Sequence, residues 1–313
     1  MRTVGRRRAL GYRGAMDDSD GPFDRALRRL RRDRAARFEG PDYLHRRAAE
    51  ELDARLDFVS RRFGRALDLG CGTGAMGERL VARGIEVVSA DAGAAFAAAA
   101  RGVQCDEDRL PFADGAFDLV VSVGALDTVN DLPGALTLIR RTLRPDGLFL
   151  AAFAGAGCLP ALRAALRAAE EAEGQAPSPR LHPQIDVRAA GDLLTRAGFA
   201  LPVVDREEVE VRFSGLGRLV EDLRGMAATN LLKERARRPF TRLGLAAAAV
   251  AFDERAGPDG RTAERFEILY LSGWAPAPDQ PRPARRGSGT VSLARALSPK
   301  GRPAPAKGRP APE

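Results

Sequence analysis

The sequence predicts an alternating α/β fold built around a largely parallel sheet, and three observations carry that expectation. Residues 65–69 form a short apolar-rich run that ends in glycines at 70, 72 and 74, and a helix-like segment follows over 75–83. Further apolar runs recur at 85–90 and 117–122 with helical patterns between them, the rhythm of βαβ units. The run at 117–122 is nearly unbroken, as in a parallel strand buried on both faces.

Taken in order, residues 1–22 show Gly, Arg and Asp without period and read as disordered. A basic helix is expected from Phe23 to Arg37, with Phe23, Leu27 and Leu30 on its apolar stripe. After the Gly40-Pro41 break a second helix is expected over 43–63, with Leu52, Leu56 and Val59 inward and Gly64 as its stop. These two helices, 23–63, precede the first strand and are placed to form a lid. Strand 85–90 ends in Asp91; a short helix (94–101) and a third strand (102–105) follow, and Asp106-Glu107 come next.

After the strand at 117–122, Asn130-Asp131-Leu132-Pro133 is a helix start, polar caps before a proline in the first turn. That helix runs to 143 and stops at Arg144-Pro145-Asp146-Gly147. A fifth strand (147–153), a helix (159–173), a loop with three prolines (174–184) and a helix (187–197) follow. Residues 208–213 alternate charged and apolar side chains, as an antiparallel strand does, and 265–274 is a second such strand able to pair with it. The helical insertion between them, about 216–252, is the natural substrate cap. Residues 275–313 are rich in Pro, Arg and Gly and end in a tandem heptad, 300–306 and 307–313, the composition of a disordered basic tail.

Composition narrows the function classes. The net charge of +8 invites a nucleic-acid reading, but residues 1–39 and 275–313 each carry a surplus of six positive charges, leaving the middle at −4. The body is therefore no basic platform for nucleic acid. No run approaches the ~18 apolar residues of a membrane span. Lysine stands only at 233, 300 and 307, so the arginine-rich start reflects overall composition. It also carries five aspartates, against a mitochondrial presequence; a bacterial cytoplasmic protein is expected. Cys71, Cys105 and Cys158 have no metal or disulfide spacing. His45 and His182 would have to converge to build a two-histidine iron site.

The glycine turn lets a ligand lie against backbone N–H groups. Gly70, Gly72 and Ala75 also satisfy the dinucleotide fingerprint, so a nicotinamide or flavin enzyme stays open at this point. Asp68 tilts the balance: a carboxylate at the mouth of this strand repels a diphosphate and suits an ammonium beside a sulfonium, the charges of S-adenosylmethionine. Its simpler reading is a cap on the loop. Asp91, 21 residues after Gly70, can accept from ribose hydroxyls in either case. Asp106 or Glu107 can take an adenine amino group or form a solvated turn. Cys71, Ala92 and Ser122 complete the expected cofactor lining.

With these residues in place, the chain resembles the class I S-adenosylmethionine-dependent methyltransferases. D-x-G-x-G-x-G at 68–74, the acid ending the second strand, and the Leu110-Pro111-Phe112 and 117–121 blocks occur in that family's order. The resemblance implies a Rossmann-like seven-stranded sheet with an antiparallel edge strand and a helical insertion. A narrower resemblance rests on 23–27, 129–133, 221–226 and 282–288, which look like the methyltransferase-like assembly factors of respiratory complex I, whose mitochondrial member is regarded as a protein arginine hydroxylase. The group is also similar to the malonyl carrier-protein O-methyltransferases of biotin synthesis, which lack the segment 282–293. The resemblance implies a protein substrate such as a complex I subunit, or a carrier-bound acyl group, or a non-catalytic assembly role. Relatives commonly show His-Trp before Val129; here Asp127-Thr128 stands there, removing the obvious base. Asp127 is the candidate catalytic residue, able to hold a guanidinium as a bidentate pair.

Overall fold

The computed structural model describes residues 21–38 and 40–277. The expected disorder of 1–22 falls largely, and that of 275–313 almost wholly, outside them, as do the discriminating segment 282–293 and the tandem heptad.

The sheet forms as the alternation of elements predicts. β1 (Arg65–Leu69), β2 (Glu86–Asp91), β3 (Val103–Gln104), β4 (Phe117–Val123) and β5 (Leu143–Ala154) are parallel; β6 (Ala200–Phe213) and β7 (Thr262–Trp274) complete seven strands in the order β3-β2-β1-β4-β5-β7-β6. β7 runs antiparallel to both neighbours, pairing Leu150 with Ser272 on one side and Val209 with Phe266 on the other. The order reverses between β1 and β4, which opens a crevice at the carboxyl ends of those strands.

Side chains alternate across the sheet because successive Cβ atoms point to opposite faces. Ala66, Leu119 and Val121 join Leu52, Leu56 and Leu80 from α2 (Tyr43–Leu56) and α3 (Ala75–Ala82). Leu67, Val120 and Phe149 join Leu136, Ile139 and Leu194 from α5 (Leu132–Thr142) and α7 (Val187–Arg196) on the other face. The Asp131 side chain accepts from the Gly134 amide at 2.8 Å, the predicted cap of α5. Asp118 pins the start of β1 by accepting from the Gly64 and Arg65 amides, both at 2.9 Å.

A third apolar cluster joins α6 (Pro160–Ala172), α8 (Leu216–Gly225) and α9 (Arg242–Asp253) to β7 through Ala165, Leu219, Phe252 and Phe266. The last two helices are the predicted insertion. No helix among the described residues is long and apolar enough to cross a membrane.

Three expectations need correction. α2 ends at Leu56, seven residues before its expected end at 63, and Phe58 is 90% exposed. Val59 and Phe63 keep a helical spacing with Leu52 but reach the same core from a non-helical chain that is turning into β1. β5 starts four residues early, at Leu143, because the expected stop at 144–147 is an irregularity inside the strand, with Asp146 at φ 61°.

The third correction matters most. Phe23 and Leu27 of the expected apolar stripe pack against Leu231 and Leu232, but Leu30 is 44% exposed, and α1 (Arg25–Arg37) buries Arg28, Arg32 and Ala35. The helix turns its basic face inward. Four acids wait there.

Candidate active site

β1 and β2 deliver the first half of the site. Gly70, Gly72 and Gly74 all have positive φ, at 76°, 50° and 87°, so the loop after β1 turns in a region that L side chains rarely adopt. At Gly70 a Cβ would also collide with the Ala125 side chain beyond β4. The amides of Gly70 and Cys71 donate to Ala90 O, Gly72 donates to Asp91 and Gly74 to Cys71 O. The expected cradle of free N–H groups is therefore largely closed on itself. Thr73 is tied to the start of α2 by its hydroxyl, which donates to Asp42 at 2.9 Å.

Asp68 borders the crevice together with Gly70, Cys71 and Gly72. Its Oδ2 is buried and has no hydrogen-bond partner among the described residues. Burial first, and the Asp91 charge second, push its pKa up to about 7, against the Gly77 amide and Arg32. A buried carboxylate oxygen without a donor is costly unless a ligand supplies one. This is the feature that fits a cationic ligand, and a simple loop cap would not leave it unpaired.

The other predicted acids are matched by α1. Arg32 holds Asp91 at two points, Nε to Oδ1 at 2.7 Å and Nη2 to Oδ2 at 2.6 Å. Arg28 holds Glu107 at 2.7 and 2.8 Å. Arg29 bonds Asp106, and Arg25 bonds Asp108 at 2.7 Å. Burial works against ionisation of Asp91, yet the Arg32 charge and the amides of Gly72 and Gly93 outweigh it and hold the carboxyl below its ordinary range. Ala92 is buried, its carbonyl accepting from Gln104. Ser122 is buried on β4, its hydroxyl has no partner among the described residues, and it lines neither the crevice nor the larger cavity beside it.

A larger cavity of about 280 Å³ lies beside the crevice, between β4, β5, α6 and the helical insertion. Leu162, Leu166, Leu223 and Met226 make much of its wall apolar, and Asp127 projects into it. The Asp127 Oδ1 has no partner among the described residues, and burial raises its pKa against the pull of Arg28 and Arg32. Thr128, the other residue of the departed His-Trp pair, accepts from Arg28 at 3.0 Å.

Sequence reasoning missed His45. It lies on α2 and borders both the crevice and the cavity, against Gly124, where a Cβ would strike its Nε2. Burial, then the Arg32 charge, push its pKa down to about 4, so it is neutral. A lone histidine far from the motif in sequence gave no signal of this. His182 lines the same cavity, but its Nε2 accepts from the Leu231 amide at 2.9 Å. Among the described residues no group of three His, Cys, Asp or Glu side chains is placed to hold a metal ion.

A methyltransferase-domain family model matches residues 67–151. The mitochondrial arginine-hydroxylase NDUFAF5 of Danio rerio is 36% identical over 284 residues, 87% of this chain and 88% of that protein. Its human counterpart is 37% identical over 282 residues, 87% of this chain and 82% of that protein. The malonyl-[acyl-carrier protein] O-methyltransferase of Laribacter hongkongensis is 31% identical over 284 residues, 84% of this chain and 90% of that enzyme. Among solved structures, a putative methyltransferase from Bacillus halodurans shares the fold at TM-score 0.51 and 16% identity, over 73% of this chain and all of that one. The YcgJ protein from Bacillus subtilis does so at 0.52 and 14%, over 74% of this chain and all of that one.

Proposed function

The chain belongs to the S-adenosylmethionine-dependent methyltransferase family that contains both sets of relatives, and from that premise we propose that it uses the methyl donor on an arginine side chain of a partner protein. The observation that carries the reading is the unpartnered Oδ2 of Asp68 beside the glycine loop. It is the acceptor that a donor ammonium supplies with protons, and a diphosphate would be repelled from it.

Asp68 and the loop from Gly70 to Gly74 would hold the methionine end, Asp91 the ribose, and Asp106 or Glu107 the adenine. When bound, the donor supplies an already activated methyl group on a sulfonium. The chain then has to position the acceptor and remove its proton. The apolar cavity wall suits the aliphatic stem of an arginine, and the Asp127 carboxylate suits its guanidinium. Asp127 Oδ1 would orient the acceptor nitrogen and take its proton. His45 Nε2, uncharged and bordering both cavities, is the second group placed to receive one.

A specific finding favours a second reading: the relatives at 36–37% identity are named arginine-hydroxylases. Both readings place the same side chain in the same cavity. The sequence resemblance implies a respiratory complex I subunit as the partner, and composition favours the bacterial cytoplasm as the compartment. A malonyl group on a carrier protein is the alternative substrate.

The test is incubation with labelled methyl donor and candidate partner subunits, read by mass spectrometry. A methyl group on arginine supports transfer, and an added oxygen supports hydroxylation. Donor binding with neither product leaves an assembly role. If Asp127→Ala leaves partner binding and turnover unchanged, the arginine assignment fails. Calorimetric binding of NAD in place of S-adenosylhomocysteine would remove the whole reading.

A further inference from the structure

Helix α1 does something that neither the family resemblance nor the site chemistry requires. Arg25, Arg28, Arg29 and Arg32 follow the spacing that places side chains on one helical face. They meet Asp108, Glu107, Asp106 and Asp91 in turn. Three of these acids are the ones expected to hold ribose and adenine.

The carboxylate of Asp91 has no acceptor capacity left. Its Oδ1 accepts from Arg32 Nε and the Gly93 amide, and its Oδ2 accepts from Arg32 Nη2 and the Gly72 amide. A carboxylate offers about four acceptor sites in all. The two backbone donors belong to the loops that build the site, so a ribose diol can reach Asp91 only where the guanidinium leaves.

The dimensions agree. Asp91, Asp106 and Glu107 are 0%, 3% and 0% exposed, and none of them lines the crevice, although Arg32 does. That crevice measures about 30 Å³, room for roughly two waters and far too little for a nucleoside. What stands in the adenosine half of the site is α1 itself.

We propose that α1 is an ionic latch on the donor site, and that donor entry exchanges Arg32 for the ribose diol on Asp91. This rests on the methyl-donor reading above. The pairs differ in how readily they open. Arg29 is 45% exposed and Arg25 14%, whereas Arg28 and Arg32 are 5% and 7% exposed. Water can therefore loosen the outer pairs first, and the helix opens from its Arg25–Arg29 rim toward Arg32. The released guanidinium has a second acceptor close by, the Gly70 carbonyl, 3.4 Å from Nη2.

The experiment is calorimetric titration of the full chain with S-adenosylhomocysteine, comparing wild type, Arg32→Met and the rim double variant Arg25→Ala/Arg29→Ala. Methionine keeps the length of the side chain and removes its charge. A latch that holds the competent state to a tenth of the population lowers apparent affinity about tenfold, so Arg32→Met is expected to bind at least about tenfold more tightly than wild type. Binding by Arg32→Met that is equal to wild type or weaker overturns the latch, and weaker binding would mean that Arg32 serves the ligand directly. Where Arg32→Met does not fold, the rim variant decides, since its Arg32–Asp91 pair is intact: tighter binding supports the latch and unchanged or weaker binding overturns it. If no form of the chain binds S-adenosylhomocysteine, the methyl-donor reading falls and takes the latch with it. If wild type binds and the deciding variant gains nothing, the latch alone falls.

Discussion

Arg28 and Glu107 meet through two parallel hydrogen bonds of 2.7 and 2.8 Å, 79 residues apart in sequence, with their side chains 5% and 0% exposed. A buried pair of this kind adds little net stability, yet breaking it is expensive because the remaining charge has no water to turn to.

Arg28→Ala is therefore expected to destabilise the chain by about 3–5 kcal/mol, while Leu30→Ser on the outer face of α1 should change stability by no more than about 0.5 kcal/mol. Urea unfolding of the two variants checks this. A larger loss from Leu30→Ser than from Arg28→Ala would mean that Leu30, and not the basic face, docks this part of α1.

The raised pKa of Asp68, about 7, makes donor binding pH-dependent. A donor ammonium needs the ionised carboxylate, so affinity for S-adenosylhomocysteine is expected to rise as pH increases through about 7 and to level off above it. Stability moves the opposite way. The folded chain holds the Asp68 proton between its unfolded and folded pKa values while the unfolded chain has released it, so this group's contribution falls as pH rises across that window. Titrations across the window in wild type and Asp68→Asn check both, and the variant should lose the pH dependence of binding.

Asp127 presents function against stability. Its pKa is raised, chiefly by burial, so folding works against its ionised form. Asp127→Asn should stabilise the fold by about 1 kcal/mol, a rise of about 2 °C in Tm for a chain of this size. The gain should shrink as pH falls toward the unfolded pKa of an aspartate, about 4. Thermal melts at two pH values check it. A lower Tm for the variant would show that Asp127 is serving the fold.

Glu264 illustrates a cap supplied from a distance. α6 begins after Leu159, which is left-handed and gives no side-chain cap. The Glu264 carboxylate on β7, 0% exposed, accepts instead from the Ala161 and Leu162 amides at 3.1 and 2.8 Å. Glu264→Ala is expected to cost about 1–3 kcal/mol by leaving two buried amides unmet, and Glu264→Gln, which keeps one acceptor, should cost less. Chemical denaturation distinguishes them.

The local features of this protein were legible along the chain because each is written in a few adjacent residues. β1 matches its expected bounds because an apolar run meets a glycine turn. The cap of α5 stands at Asp131 because a polar residue precedes Leu132-Pro133. Asp68 and Asp91 could be singled out because strand ends at a crevice are where acids do chemistry, and Asp127 because it stands where relatives commonly carry His-Trp. The part of the β6–β7 edge pair over 208–213 follows from period-two alternation, whereas the eight residues by which β6 starts earlier, from Ala200, were not read as strand.

Tertiary structure decided what faces what. The stripe Phe23-Leu27-Leu30 read as the buried side of α1, and its first two members do pack against Leu231 and Leu232, yet further along the helix four acids on the body turn Arg28 and Arg32 inward and leave Leu30 outside, which only the folded body shows. His45 reaches Gly124 across the fold from α2, a contact that no spacing announces. Burial and electrostatic partnership depend on elements distant in sequence, so a helix's local pattern names two candidate faces, and its neighbours choose between them.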